Sequence, residues 1–220
     1  MRSSGNESFD RTAAEIHVHH RSQTLEDVTR LNLKYQEPAI GTLRVGEALT
    51  MLKTVVDPTD KELYTVSQWD HIRQVIGMME QEGVISEEFL IMGLVHDLGK
   101  VLLTLHEEPS NIVCDNFAIG TYPDGIGLDN VTFQWNHDEF GYMRLKGHLP
   151  PHMARLIRYH SINPSVLRYM SVADKRFHGK YLEPFRRYDK LSKSPHVVPE
   201  IDEDKYLRML DKWFPDPIVI

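Results

Sequence analysis

Hydrophobic positions recur along this chain at three- and four-residue intervals, the spacing that lays an apolar stripe along one face of a helix. Val28 and Leu31 follow Thr24, which with Asp27 three residues on makes a capping box, Asp replacing the usual Glu. Val45, Ala48, Leu49, Leu52 and Val56 continue the pattern until Asp57-Pro58 ends it. Trp69, Ile72, Val75, Ile76 and Met79 predict the next helix, with Gly83 as its stop. Ser86 is placed to cap a further segment, in which Phe89, Leu90, Ile91, Leu94 and Val95 leave almost no polar face. A helix that is apolar nearly all round belongs in the centre of a bundle.

Residues 107–129 interrupt this rhythm. Glu107-Glu108-Pro109-Ser110 and Tyr122-Pro123-Asp124-Gly125-Ile126-Gly127 are turn-rich, so a long connection is expected there, with short strands or a lid. Helical patterning returns over 130–145, and again behind Pro150-Pro151 through Met153, Leu156 and Ile157. Two more helices are predicted over 181–191 and 203–213. No repeat or low-complexity tract breaks the chain. The pattern therefore predicts an all-α bundle forming a single domain over 1–220, with one long functional loop and a polar extension over 1–22.

Composition narrows the function. With 220 residues, 41% apolar and 26% charged, the chain can bury one sizeable core and is not disordered. No apolar run is long enough to cross a bilayer, and MRSSGNESFDRTAAE has no apolar centre of a secretory signal. The single cysteine, Cys114, forms neither an intramolecular disulfide nor a multi-cysteine zinc site, so a reducing cytoplasm is expected. A net charge of -7 gives no basic field for nucleic acid. Twelve histidines are the unusual count, and they point to metal chemistry.

The strongest local signal is His96-Asp97, at the end of the apolar segment LIMGLVHDLGK. A charge buried there needs a strong partner, and a metal ion is one. A structural histidine beside a capping aspartate is the plain alternative. His71 lies on the apolar side of the preceding predicted helix, His137 and His160 on two later ones, and Asp189 on another. Helices that turn such groups into a bundle core form two-metal sites, and imidazole with carboxylate suits iron or manganese better than calcium. Spacing alone does not select these residues from twelve histidines. His17, His19 and His20 sit in a polar stretch and His148, His178 and His196 in loops, so all six read as solvated; His106 and His152 lie off the apolar stripes.

The order His71, His96-Asp97, His137, His160, Asp189 carries a family resemblance. The general pattern is that of the HD-domain superfamily. The two extra histidines, with Leu98-Gly99-Lys100 directly after the HD pair, closely resemble the myo-inositol oxygenase family. Gln23-Thr24, Glu47-Ala48, Val56-Asp57, Gly127-Leu128-Asp129-Asn130-Val131, Trp135, His137-Asp138-Glu139 and Asp211-Lys212 are similar to that family as well, so the likeness runs over about residues 10–215.

The resemblance implies an HD-type bundle around two iron ions in a mixed Fe(II)/Fe(III) state. One iron would be held by His71, His96 and Asp189, the other by His137 and His160, with Asp97 as the bridge. The implied reaction uses O2 to cleave the ring of myo-inositol to D-glucuronate, a step of inositol catabolism carried out by a cytoplasmic monomer. Lys100 and Lys193 match family lysines that act on substrate. Asp57, Asp60, Asp115 and Ser161 match positions that contact it. A cation at Lys100, three residues after Asp97, would favour the deprotonated form of a substrate hydroxyl.

Three departures bear on the substrate. The stretch between Gly120 and Leu128 is shorter than in animal members, and Cys114 stands where the family has glycine. The family's lid arginine has only Arg2 as a loose counterpart. Two other functions compete with the oxygenase. A metal-dependent phosphohydrolase would use Arg186, Arg187 and Lys190 near Asp189, and the second is an oxygenase built for a different hydroxy compound, such as a hydroxyphosphonate. A non-catalytic module is disfavoured because all six ligand positions are filled.

Overall fold

Local signals explain where most helices begin. In the computed structural model, which describes the backbone of residues 4–220 and the side chains of 11–220, Thr24 caps α2 (Leu25–Lys34). Its hydroxyl accepts from Asp27 N at 3.2 Å while Asp27 accepts from Thr24 N at 3.0 Å. Ser67 and Ser86 cap α4 (Gln68–Gln81) and α5 (Glu87–Val95) through their hydroxyls alone, which accept from Asp70 N and Phe89 N. Gly83 adopts φ +72 to end α4, a conformation that suits glycine. The chain is helical in ten α-segments among the described residues, the all-α bundle that the pattern predicts. Two-residue strands, Thr42–Leu43 and Ile218–Val219, pair antiparallel at one edge.

The remaining helices are α1 (Ser4–Arg21), α3 (Val45–Met51), α6 (His137–Leu145), α7 (Pro151–Tyr159), α8 (Val172–Phe177), α9 (Glu183–Leu191) and α10 (Glu203–Trp213). As expected, α5 is buried from Leu90 to Val95, and it packs along α4. Helix α6 packs along α7, and Phe140, Ile157 and Tyr159 from this pair are almost wholly buried. No helix is long and apolar enough to cross a membrane among the described residues.

Four local expectations are corrected. The α3 stripe ends on a 3₁₀ turn, Leu52–Thr54, and buries Val55 while Val56 is 44% exposed. The helix expected over 130–145 starts only at His137, because Val131, Thr132 and Phe133 are drawn into extended pairing: Ile119 N donates to Thr132 O at 2.8 Å and Gln134 N to Phe117 O at 2.9 Å. The helix expected over 181–191 is the last part of a longer run. There α8 passes into α9 through a π turn, His178–Leu182, and the wider turn accommodates Pro184, which has no N–H to give. The polar N-terminal stretch is helical, and Arg2 lies outside the described residues.

His20 is the largest departure. It was expected in solvent but is fully buried, its Nδ1 donating to Ser110 O at 2.8 Å. Burial pulls its pKa down and keeps the ring neutral. Gln23 completes this clamp, accepting from Trp135 N at 2.7 Å and donating to Trp135 O at 3.0 Å. The end of α1 is thereby tied to both strands of the long loop, a tertiary arrangement that no local pattern encodes.

Candidate metal centre

Five segments converge in the middle of the bundle. His71 comes from α4, on the face that buries Ile72, Val75 and Ile76. His96 and Asp97 leave the end of α5, His137 opens α6, His160 follows α7, and Asp189 comes from α9. All four imidazoles and Asp97 are at most 3% exposed.

The histidines are oriented from behind. The Nδ1 of His96 faces Gly93 O at 3.0 Å, that of His137 faces Ile112 O at 2.6 Å, and that of His160 faces Ile157 O at 2.8 Å. A carbonyl oxygen only accepts, so each Nδ1 carries a proton and each Nε2 is the atom left to bind a cation, a proton or a metal. His71 differs: its Nδ1 has no hydrogen-bond partner, and its Nε2 stands 3.1 Å from Asp189 Oδ1.

Around Asp97 these groups fall into two sets. Its Oδ2 lies 3.3 Å from His96 Nε2 and 4.0 Å from His71 Nε2, with Asp189 Oδ1 beside both rings. Its Oδ1 lies 3.1 Å from His137 Nε2 and 3.4 Å from His160 Nε2. Neighbouring ligands on an octahedral ion with bonds of about 2.1 Å stand about 3 Å apart. The His137/His160 set is close to that figure at 3.1 to 3.4 Å, and the His71/His96/Asp189 set is looser, from 3.1 to 4.0 Å. The His137 and His160 Nε2 atoms are only 3.3 Å apart, and His96 Nε2 has no hydrogen-bond partner. Donor atoms that converge in a buried site need a cation between them, so these residues could hold metal ions.

The electrostatics agree. Burial alone would neutralise Asp97 and Asp189, but Lys100 and His96 around the first, and Lys193 and His71 around the second, hold both carboxyls well below the ordinary range. Burial opposes charge on His160 too, yet Asp138, Asp97 and Asp189 raise it to about 9. A pocket with this bias holds positive charge.

Gly99 makes the close approach between Asp97 and α6 possible. A Cβ there would sit 2.1 Å from His137 O, inside the backbone of the residue that opens α6. Gly99→Ala is therefore expected to destabilise the fold by about 3 kcal/mol and to displace His137. Urea unfolding checks the first effect and metal content the second; a variant with wild-type values in both would contradict this role.

Next to this cluster opens a polar cavity of about 560 Å³. All six expected substrate-contact residues line it: Asp57, Asp60, Lys100, Asp115, Ser161 and Lys193. Lys100 is 6% exposed, which removes the alternative of a surface lysine. Its Nζ lies 3.0 Å from Asp57 and from Asp97, and it donates to Gln68 at 2.9 Å. Although burial penalises its charge, Asp97, Asp57 and Asp60 raise its pKa and keep it protonated. Lys193 pairs with Asp60 at 2.7 Å. Arg187 is turned away, held by Glu82 at 2.6 and 2.7 Å on the surface, so it cannot serve a phosphate in the cavity.

Two residues gain a part that the sequence did not assign to them. Asp138 is fully buried; its Oδ2 accepts from Ser161 Oγ at 2.7 Å, while its Oδ1 lies 3.1 Å from His137 Nε2 and 3.4 Å from His160 Nδ1. Its only sequence signal was the place next to His137. Asn136 caps α6 and also donates to Cys114 O at 3.0 Å and Ser161 Oγ at 3.1 Å. Cys114 itself adopts φ +87, the left-handed region, and lines the cavity. Burial, then the Asp57 and Asp115 charges, push its thiol up to about 12, so it is not a thiolate. At such a position glycine is less strained than any L-residue. Cys114→Gly is expected to be more stable than Cys114→Ala by about 1 kcal/mol, the reverse of the usual order, as thermal unfolding would show.

The structure is an all-α bundle whose buried His/Asp groups could hold metal ions beneath a polar cavity. The chain belongs to the myo-inositol oxygenase family, whose pattern it matches over residues 9–124 and 116–220. It is 28% identical over 240 residues to a probable inositol oxygenase of Oryza sativa subsp. japonica, covering 90% of this chain and 77% of the relative. Identity to inositol oxygenase 1 of Arabidopsis thaliana is 28% over 242 residues, covering 91% of this chain and 77% of the relative. The Mus musculus inositol oxygenase is 24% identical over 246 residues, covering 94% and 86%.

Proposed function

We propose that this chain is a non-haem di-iron oxygenase that cleaves a polyhydroxylated ring with O2, converting myo-inositol to D-glucuronate. The observation that carries the reading is the pair of His/Asp sets facing the two oxygens of Asp97 at the edge of a polar cavity. Two irons bound there would supply the redox chemistry that couples dioxygen to a four-electron C–C cleavage. His71, His96 and Asp189 would hold one ion, His137 and His160 the other, with Asp97 shared.

The chain's own task is placement and charge. Lys100 keeps its proton next to Asp97, so it offers a fixed cation where a substrate hydroxyl would give up its own proton. Asp57 is held below the ordinary carboxylate range despite burial, by Lys100 and Thr59, and so remains an acceptor for a second hydroxyl. The Lys193–Asp60 pair presents a donor and an acceptor to the rest of a ring. Ser161 is fixed by Asp138 and Asn136, which leaves its oxygen in one place. Such a site rejects ligands that leave its buried polar groups unpaired.

The test is oxygen uptake with product mass. Iron-reconstituted protein given myo-inositol is expected to consume O2 and yield glucuronate. Phosphate release from phosphoesters without any oxygen uptake would replace the oxygenase by a hydrolase.

A further inference from the structure

Arg186 has no part in the chemistry above, yet it is one of the cavity's own residues. It stands on α9 three residues ahead of Asp189, on the same helix face, and is only 9% exposed. Among the described residues it makes no hydrogen bond and no ion pair, not even with Asp189. Two other cations of the cavity are treated differently: buried Lys100 is held between Asp57 and Asp97, and half-buried Lys193 by Asp60. A guanidinium cannot escape burial by losing its proton, as a lysine can. The Arg186 side chain lines the cavity with no carboxylate paired to it, which leaves its fork free to receive an anion there. Lys190, one turn along α9, also lines the cavity, is exposed, and has no ion pair among the described residues.

We infer that Arg186, with Lys190 at the rim, forms an oxyanion subsite within the cavity, and that the preferred ligand carries a phosphate, phosphonate or carboxylate group beside its hydroxyls. The planar fork of arginine matches two oxygens of any of these groups. Neutral myo-inositol fills the hydroxyl-binding part and leaves this guanidinium unpaired. The inference rests on the proposed oxygenase reading in assigning the hydroxyls to Lys100, Asp57 and Asp60.

Titration calorimetry of the iron-loaded full chain tests the subsite. The probes are myo-inositol, myo-inositol 1-phosphate, 2-hydroxyethylphosphonate and D-glucuronate. At least one oxyanion is expected to bind about 10- to 100-fold more tightly than myo-inositol, the scale of a charge-assisted hydrogen bond. R186Q is expected to abolish that preference, and R186K to restore it in part because it returns the charge without the fork. Which probe binds tightest identifies the source: a phosphorylated cyclitol, a phosphonate, or the carboxylate product. Wild-type protein with no preference for any oxyanion would overturn the proposal, even if R186Q failed to fold. So would R186Q weakening charged and neutral ligands alike. Oxygen uptake separates the two readings. Arginine-dependent binding without uptake of O2 would keep the subsite and reject the oxygenase, and uptake with an Arg186-independent affinity would do the reverse.

Discussion

Asp97→Asn is expected to release both metal ions together. Each oxygen of the native carboxylate faces a different set of histidines, His96 and His71 on one side and His137 and His160 on the other. An amide keeps one oxygen, but its NH2 has no lone pair to offer a metal, so one set loses its shared ligand outright. The other loses the negative charge that balances its ion. Altering groups that merely orient ligands already costs about 10- to 100-fold in metal affinity, and removing a shared ligand should exceed that. Lys100 would lose one of its two carboxylates as well. Metal analysis of the purified variant should find less than one ion per chain, and oxygen uptake with myo-inositol should fall by at least about 10³. Two ions and full turnover would reject Asp97 as the bridge. His160→Ala provides the contrast, because its imidazole touches one set only and its loss should empty that position preferentially.

Lys100→Ala is expected to keep the metals and lose the chemistry. The ammonium is buried against Asp97 and Asp57, and among the described residues no other lysine or arginine pairs with Asp97. Deleting one preorganised charge donor costs about 10²- to 10³-fold in kcat/KM. Because Lys100 would act on a hydroxyl losing its proton, the loss should fall on kcat more than on substrate affinity, and the pH profile should shift to the alkaline side. That direction follows from charge: without the cation, a substrate hydroxyl needs higher pH to ionise. Steady-state kinetics across pH checks both parts. An unchanged kcat with a raised KM would make Lys100 a binding residue only.

Much of the bundle could be read from the chain because its helices have strong local signals. Serine and threonine caps, apolar stripes and Gly83 mark α2, α4 and α5, and α10 covers the expected residues 203–213. The misreadings have a common physical origin. The helix predicted over 181–191 begins earlier, because a π turn over His178–Leu182 joins it to the helix before. The residues before His137 have side chains that suit either state, and pairing with 117–119 decides between them. His20 lies in a polar sequence and becomes buried only because the distant loop folds over it.

The candidate centre divides in the same way. His96-Asp97 is visible as charge in an apolar run, whereas His71, His137, His160 and Asp189 are brought together by packing across more than a hundred residues. Only the family resemblance singled them out among twelve histidines. Arg186 shows the opposite case. Its sequence neighbourhood, Arg186-Arg187, gives two equivalent cations, and only the fold sends Arg187 to Glu82 on the surface and Arg186 into the cavity.

The most direct test of the centre is to count and characterise its metals. Protein reconstituted with iron under anaerobic conditions should bind two irons per chain, and Mössbauer and EPR spectra should show one magnetically coupled pair that responds to added myo-inositol. A single iron per chain, or two magnetically independent irons, would contradict a centre bridged by Asp97.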